Sequence, residues 1–197
     1  VSKGRADNLH LEQLHNFYTP PVQHNLVIAA DWDLGYTQSP RGYFNLRQQG
    51  GDITLPTPRK QPLGLQDFVL NTTLDGRGIH NRIAAGTRYG KISGDYNIMQ
   101  AFGGGKITAA PVSGSIRIEA NELDTFKSMM PVGQIIKGHL SAAAQINGTV
   151  SAPKLSGTID GENLYYRNRQ VGIILDNGSL KSRLDGQKWT IDALSFH

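Results

Sequence analysis

The 197-residue chain contains no cysteine, so disulfide staples and thiolate metal sites are excluded and thiols say nothing of its redox compartment. It also lacks any apolar run approaching the ~18 residues that a membrane-spanning helix requires, and no charged-then-apolar leader opens it. The chain therefore reads as soluble, and either untargeted or cut from something longer. Charge of one sign is not concentrated anywhere. A net charge of +4 invites a nucleic-acid reading, but Arg117 lies between Ile116 and Ile118, and Lys181 and Arg183 alternate with Leu180, Ser182 and Leu184. Bases interleaved in this way belong to the solvated face of half-buried strands, so no nucleic-acid partner is expected. Attraction to anionic lipid headgroups is the weaker alternative.

Constellations that carry chemistry are missing as well. Gly103-Gly104-Gly105-Lys106 resembles a phosphate loop only briefly, because a P-loop needs glycine where Gln100 stands and Ser or Thr where Ile107 stands. A hairpin turn is the expectation there. The histidines at 10, 15, 24, 80, 139 and 197 form no short-spaced ligand pair with an acidic third partner, and His197 could border an expression tag. Asp31 and Asp33 flank Trp32 as paired carboxylates might, yet they fall on the polar side of an alternating strand. Sequons begin at Asn71, Asn147 and Asn177, the last two coinciding with Asn-Gly pairs that turn chemistry explains. The expectation is a protein that is not an enzyme, with no metal and no cofactor.

What is present is apolar content with a period of two. Leu, Ile, Val and Phe make up 49 of 197 residues, about a quarter, where disordered chains tend to fall below roughly 20%. Leu26, Ile28, Ala30, Trp32, Leu34 and Tyr36 share one strand face, opposite Val27, Ala29, Asp31 and Asp33, and Phe44 and Leu46 continue after a Ser39-Pro40 turn. Phe68 to Leu74, Ile79 to Tyr89, Ile92 to Ile98 and Val112 to Ile118 follow, each bounded by glycine or proline. Next come Leu140, Ala142, Ala144 and Ile146 opposite Ser141, Ala143 and Gln145, then Leu155, Gly157 and Ile159 after Pro153. Val171 to Leu175, Leu180 to Leu184 and Trp189 to Ile191 complete about a dozen strands. Asn-Gly or Asp-Gly pairs at 75–76, 147–148, 160–161, 177–178 and 185–186 read as their turns. The fold class is all-β, a sandwich, barrel or open groove.

Two segments interrupt the alternation. His10 to Thr19 aligns without gaps on Glu122 to Pro131, placing Leu11 over Leu123, Leu14 over Phe126 and Phe17 over Met129. The spacing predicts short amphipathic helices near 8–18 and 121–130, each followed by a proline and then a strand. Recurrence after 112 residues suggests duplication, with repeat units at 6–119 and 120–197 of one groove segment.

The helix Leu123–Met130, Pro131, the Gly138-x-Leu140 strand, Asn147-Gly148-Thr149 and the Pro153-x-Leu155-x-Gly157 strand resemble the repeating signature of the TamB and AsmA-like envelope proteins. The likeness is strongest from about 120 to 197 and fainter from 6 to 119. It implies a fragment of a larger Gram-negative periplasmic protein anchored in the inner membrane, with a sheet folded lengthwise into a U-shaped trough. It implies work with a TamA-like outer-membrane barrel in assembling autotransporter-type outer-membrane proteins and in moving phospholipid between membranes. The membrane anchor and the extreme C-terminal segment are missing from the pattern.

An apolar sheet face must cover itself with another sheet, with its own curvature or with an apolar ligand. The inward set is Ile28, Trp32, Leu70, Ile83, Ile116, Leu140, Ile146, Ile159, Leu180, Leu184, Trp189 and Ile191. In an open trough these line a slot for phospholipid acyl chains or unfolded outer-membrane protein strands. In the alternative they form the core of a closed β-sandwich, a structural spacer or interaction module with no ligand. The residues alone leave both open, and the resemblance favours the slot.

Overall fold

Eleven strands dominate the computed structural model, which describes residues 1–14, 22–56, 60–99 and 106–197. They are β1 (Ser2–His10), β2 (Val27–Tyr36), β3 (Pro40–Gly50), β4 (Gln66–Asp75), β5 (Gly78–Thr87), β6 (Gly90–Met99), β7 (Val112–Ala120), β8 (Gln134–Thr149), β9 (Ala152–Asn168), β10 (Ile173–Asp185) and β11 (Lys188–Ser195). All lie in one sheet whose spatial order is the sequence order, and every neighbouring pair is antiparallel. Six of the ten connections span two to four residues and can only close hairpins, since a parallel neighbour needs a long crossover, and the four longer ones also return the chain antiparallel to the adjacent strand. The first and last strands pair with one neighbour each, so the sheet is open rather than a closed barrel.

Curvature, rather than a second sheet, shelters one face. Ala142 and Ala144 are partly buried while Ala143, the same side chain between them on β8, is exposed. Ala85 and Ala84 on β5 repeat the contrast. The sheet is a trough, concave toward the even-numbered apolar positions of β2, β7 and β8. Glycines permit the bend where the backbone closes on itself. A Cβ on Gly157 would collide with the Ala143 carbonyl and Ala144 Cα, and one on Gly114 with the Asp95 carbonyl and Tyr96 Cα.

The best-buried residues gather along one lip of the trough. Leu123 is 2% exposed and forms a cluster with Ala120 and Leu164, against which Phe126, Ile136, Leu140, Leu180 and Phe196 pack. The Phe126 ring stacks obliquely on buried Tyr89, centroids 4.8 Å apart. Leu26 and Leu65, in the connections that lead into β2 and β4, and Ile28 at the start of β2 are buried at the same lip. Asp52 staples the long β3–β4 connection, accepting the backbone N–H of Ile53, Gly64 and Leu65 at 2.7, 2.8 and 2.9 Å.

Several expectations need correction. Residues 8–10 of the first expected helix belong to β1, which pairs with β2 from Ser2↔Leu34 to His10↔Val27. Only Leu11–Leu14 coils, as a single 3-10 turn. Residues 15–21, with Phe17 and Thr19, lie outside the described residues. The second helix is likewise a 3-10 segment, Leu123–Ser128. So short a helix cannot offset its own nucleation, whereas a waiting strand satisfies the backbone of residues 2–10 at once.

The glycine pairs also divide. Asp75-Gly76 and Asp185-Gly186 end strands, but Asp160-Gly161 lies inside β9 and Asn177-Gly178 inside β10, where the register shifts and Asn177 takes φ 46°. Asp160-Gly161 keeps regular register with both neighbours, the positive φ on β9 falling two residues later at Asn163, whereas Asn177-Gly178 is a bulge, which uses positive φ as a turn does without reversing the chain. After Asn147-Gly148 the reversal itself falls at Val150-Ser151. The hairpin expected at Gly103 to Gly105 lies outside the described residues.

Candidate functional site: the inner face of the trough

Cross-strand register carries the inner face from one strand to the next, because directly opposed residues point the same way. One row reads Ala30, Leu46, Leu70, Ile83, Gly94, Ile116, Ala144, Gly157, Leu184, Trp189, crossing ten strands. Beside it run Trp32, Phe44, Thr72, Asn81, Tyr96, Gly114, Ile146, Leu155 on one flank. On the other run Ala85, Ile92, Ile118, Ala142, Ile159, Ser182, Ile191. A fourth, shorter row joins Ala120, Leu140, Gly161, Leu180 and Leu194.

All twelve residues singled out from the sequence therefore share this face. Ile28 completes the set one step from Ala30 along β2. They differ in cover. Ile28 is buried, Leu70, Ile83, Ile116, Leu140, Ile146, Ile159, Leu180 and Leu184 are partly buried, and Trp189 and Ile191 on the β11 edge are exposed. Near the middle of the slot, Gly94, Ala144 and Gly157 interleave with the larger side chains. Small residues there deepen the floor without adding polar groups.

Polar side chains sit on the same face as well, Thr72, Asn81 and Ser182 among them. Buried Asn81 accepts the Thr72 hydroxyl at 2.8 Å through Oδ1 and reaches the Tyr96 carbonyl with Nδ2 at 3.5 Å. Ser182, 2% exposed, donates to the Ile159 carbonyl at 3.1 Å. Both are satisfied within the sheet, so the slot presents them bonded rather than bare. Trp32 closes the β1 side, its ring lying where a Cβ on Gly4 would be and its Nε1 donating to the Ser2 hydroxyl at 3.0 Å.

The outer face carries the charge. Asp33 pairs with Lys3 at 3.0 Å, and Asp31 accepts from Asn45 at 3.0 Å, so the two carboxylates beside Trp32 serve cross-strand ladders. Arg183 grips Asp192 at 2.6 Å, which raises the guanidinium pKa and lowers that of the carboxylate. At the lip opposite Leu123, Asp75 is held at about 2, chiefly by the Arg77 backbone N–H and further by the Arg77 and His80 side chains. Shallow open depressions dimple this face where small residues such as Ala84, Ser93 and Ala143 lie between Arg82, Asp95 and Arg117. They are gaps between long side chains. Among the described residues no three of His, Asp and Glu are grouped as metal ligands, and no helix is long and apolar enough to cross a membrane.

Comparison with known families adds the decisive observation. The model of the TamB N-terminal domain matches residues 5–160. The chain belongs to the TamB family. The match begins at residue 5, takes in the rest of the first half, where the sequence resemblance is fainter, and ends within β9. TamB proteins are associated with the bacterial envelope. Neither the curated proteins nor the solved structures provide a match.

Proposed function

We propose that this TamB-family chain is a segment of an apolar conduit in outer-membrane biogenesis, its inner face holding phospholipid acyl chains in transit between the two membranes. The observation that carries the reading is the apolar row crossing ten strands on the concave side of an open sheet. An acyl chain asks for no hydrogen-bond donors, only for surface that prefers not to face water, and aliphatic rows supply it. The inner polar residues are already bonded to the sheet and compete little. On this reading the segment works in the periplasm as part of a protein anchored in the inner membrane, with a TamA-like outer-membrane barrel as its partner, and binds rather than catalyses.

A second reading rests on the two unpaired edges. On β11 every residue is exposed, including Trp189, Ile191 and Leu194, and an unfolded outer-membrane protein strand could add there by backbone pairing. This would serve autotransporter-type barrel assembly, and it is compatible with lipid in the slot.

The test places a photo-crosslinking amino acid at Ile146, with outward Gln145 as control, in protein made in a Gram-negative periplasm. Lipid adducts at Ile146 and not at Gln145 are expected. Protein adducts at both would favour the client platform. Absence of lipid adducts at Ile146, Ile116 and Leu70 in folded, functional protein would leave an inert spacer as the better account.

A further inference from the structure

We infer that the tip of the β9–β10 hairpin, with the adjoining 131–133 loop, is a finger that seats in the headgroup and upper acyl layer of an anionic bilayer. The inference stands whatever the trough carries. Only β8, β9 and β10 continue past the register breaks at Lys137/His139 and Leu175/Gly178. Beyond them Gln134–Lys137, Tyr165–Asn168 and Ile173–Leu175 pair as a three-stranded extension. The 131–133 loop is tied to it, Arg169 N–H donating to the Gly133 carbonyl at 3.0 Å.

The extension exposes aliphatic side chains where a folded chain usually hides them. Val132 is 77% exposed, Val171 63% and Ile174 62%, with Ile173 also exposed. Ile174 is in register with Arg167 and Ile135, and Ile173 with Asn168 and Gln134. Successive strand residues point to opposite faces, so the exposed aliphatics occupy both faces and the turn. A protein docking on a sheet would cover one face. A medium that surrounds the tip covers both.

Charge selects the kind of bilayer. Residues 125–138 and 163–175 contain Lys127, Lys137, Arg167 and Arg169 and no Asp or Glu; Asp124, Glu162 and Asp176 lie just outside. None of the four cations has an ion-pair partner among the described residues, and the Arg167 Nε is buried without a hydrogen bond. Lys137 Nζ lies 5.8 Å from the centroid of the Tyr165 ring. Tyrosine beside long cationic side chains is the composition of a membrane–water boundary, where stems bury and charges reach phosphate. Basic residues near an anionic leaflet are each worth about fivefold in affinity. The inner side of the finger leads into the trough, for Ile136 packs on the Leu123 and Leu164 cluster with Leu140 and Leu180.

Because the chain has no cysteine, single Val171→Cys and Gln187→Cys variants can each carry an environment-sensitive nitrobenzoxadiazole label, Gln187 lying in the turn of the opposite lip. Vesicles of phosphatidylethanolamine and phosphatidylglycerol at three to one should shift the Val171 label to the blue and leave the Gln187 label unchanged. Neutral phosphatidylcholine vesicles should do much less. In flotation, Lys137→Glu with Arg169→Glu should weaken binding more than tenfold, and Ile173→Ser with Ile174→Ser by a similar factor, with circular dichroism unchanged. The inference is overturned if both labels respond alike, if neither responds in folded protein, or if the paired variants float as the parent does. Concentration-dependent self-association that the Ile173/Ile174 variant abolishes, without vesicle binding, would assign the finger to a second copy instead.

Discussion

Adjacent residues on β7 offer the sharpest test of the trough, because Ile116 faces in and Arg117 faces out. Ile116 is partly buried between Gly94 and Ala144, while Arg117 is exposed opposite Ser93 and Ala143. Ile116→Asp forfeits apolar burial of about 2 kcal/mol, and a partly dehydrated carboxylate adds about 1–2 kcal/mol. For a chain of this size each kcal/mol moves Tm by about 2–4 °C, so a fall of about 10 °C is expected. Arg117→Asp breaks no ion pair among the described residues and should stay within about 0.5 kcal/mol, a change of no more than about 2 °C. Differential scanning calorimetry on both variants reads the contrast directly. Equal shifts would refute the face assignment. Complete loss of folding in Ile116→Asp would point to a fully enclosed site, because penalties beyond about 4–5 kcal/mol belong to sealed cores.

Leu123→Ala should destabilise by about 2–4 kcal/mol in urea titration, since its site is enclosed, whereas Val132→Ala nine residues later should be nearly silent. Asp52→Ala removes the acceptor of three backbone N–H groups and should lose about 2–3 kcal/mol by the same measurement. The Asp75 pKa is lowered on folding, so its stabilising contribution is present above the unfolded value near 4 and is lost as pH falls toward about 2. The Tm difference between the parent and Asp75→Asn should therefore be full at pH 6 and shrink between pH 4 and pH 2. Gly4→Val would push the Trp32 ring off β1 and break its bond to Ser2; with Trp189→Phe as background, red-shifted Trp32 emission reports it.

Period-two alternation made the inner face legible, because it is local: Ile28 to Tyr36 or Leu140 to Ile146 need only their own order to sort two faces. Register then brought the faces of distant strands together, and that step is set by hairpin lengths and bulges. β1 was hard to see because Ser2–His10 is nearly all polar and becomes a strand through its neighbour. The short helices illustrate the opposite error, as apolar spacing of three in Leu123-Asp-Thr-Phe126 describes one turn and cannot say whether more follow. Leu123 packs with Leu164, and Tyr89 reaches that cluster through Phe126, across positions up to 75 residues apart in the sequence, and the Asn81–Thr72 bond joins facing strands. No single stretch of chain announces either.

The division between lip and slot bears on how a conduit can exist at all. A sheet whose every apolar side chain were sealed would be stable and would have no room for a guest, while one stabilised only by a solvent-exposed stripe would aggregate. Here the enclosed packing lies along one lip, at Leu123, Leu164, Tyr89, Leu26 and Leu65, and backbone ladders hold the sheet. The slot residues at Leu70, Ile83, Ile116 and Ile146 are left only partly covered. Their remaining exposure is hydrophobic free energy that a guest acyl chain can recover, at about 25 cal/mol for each Å² removed from water. The same incompleteness that makes Ile116→Asp survivable for the fold makes it disabling for the slot, so that variant should retain its strands while losing copurifying lipid.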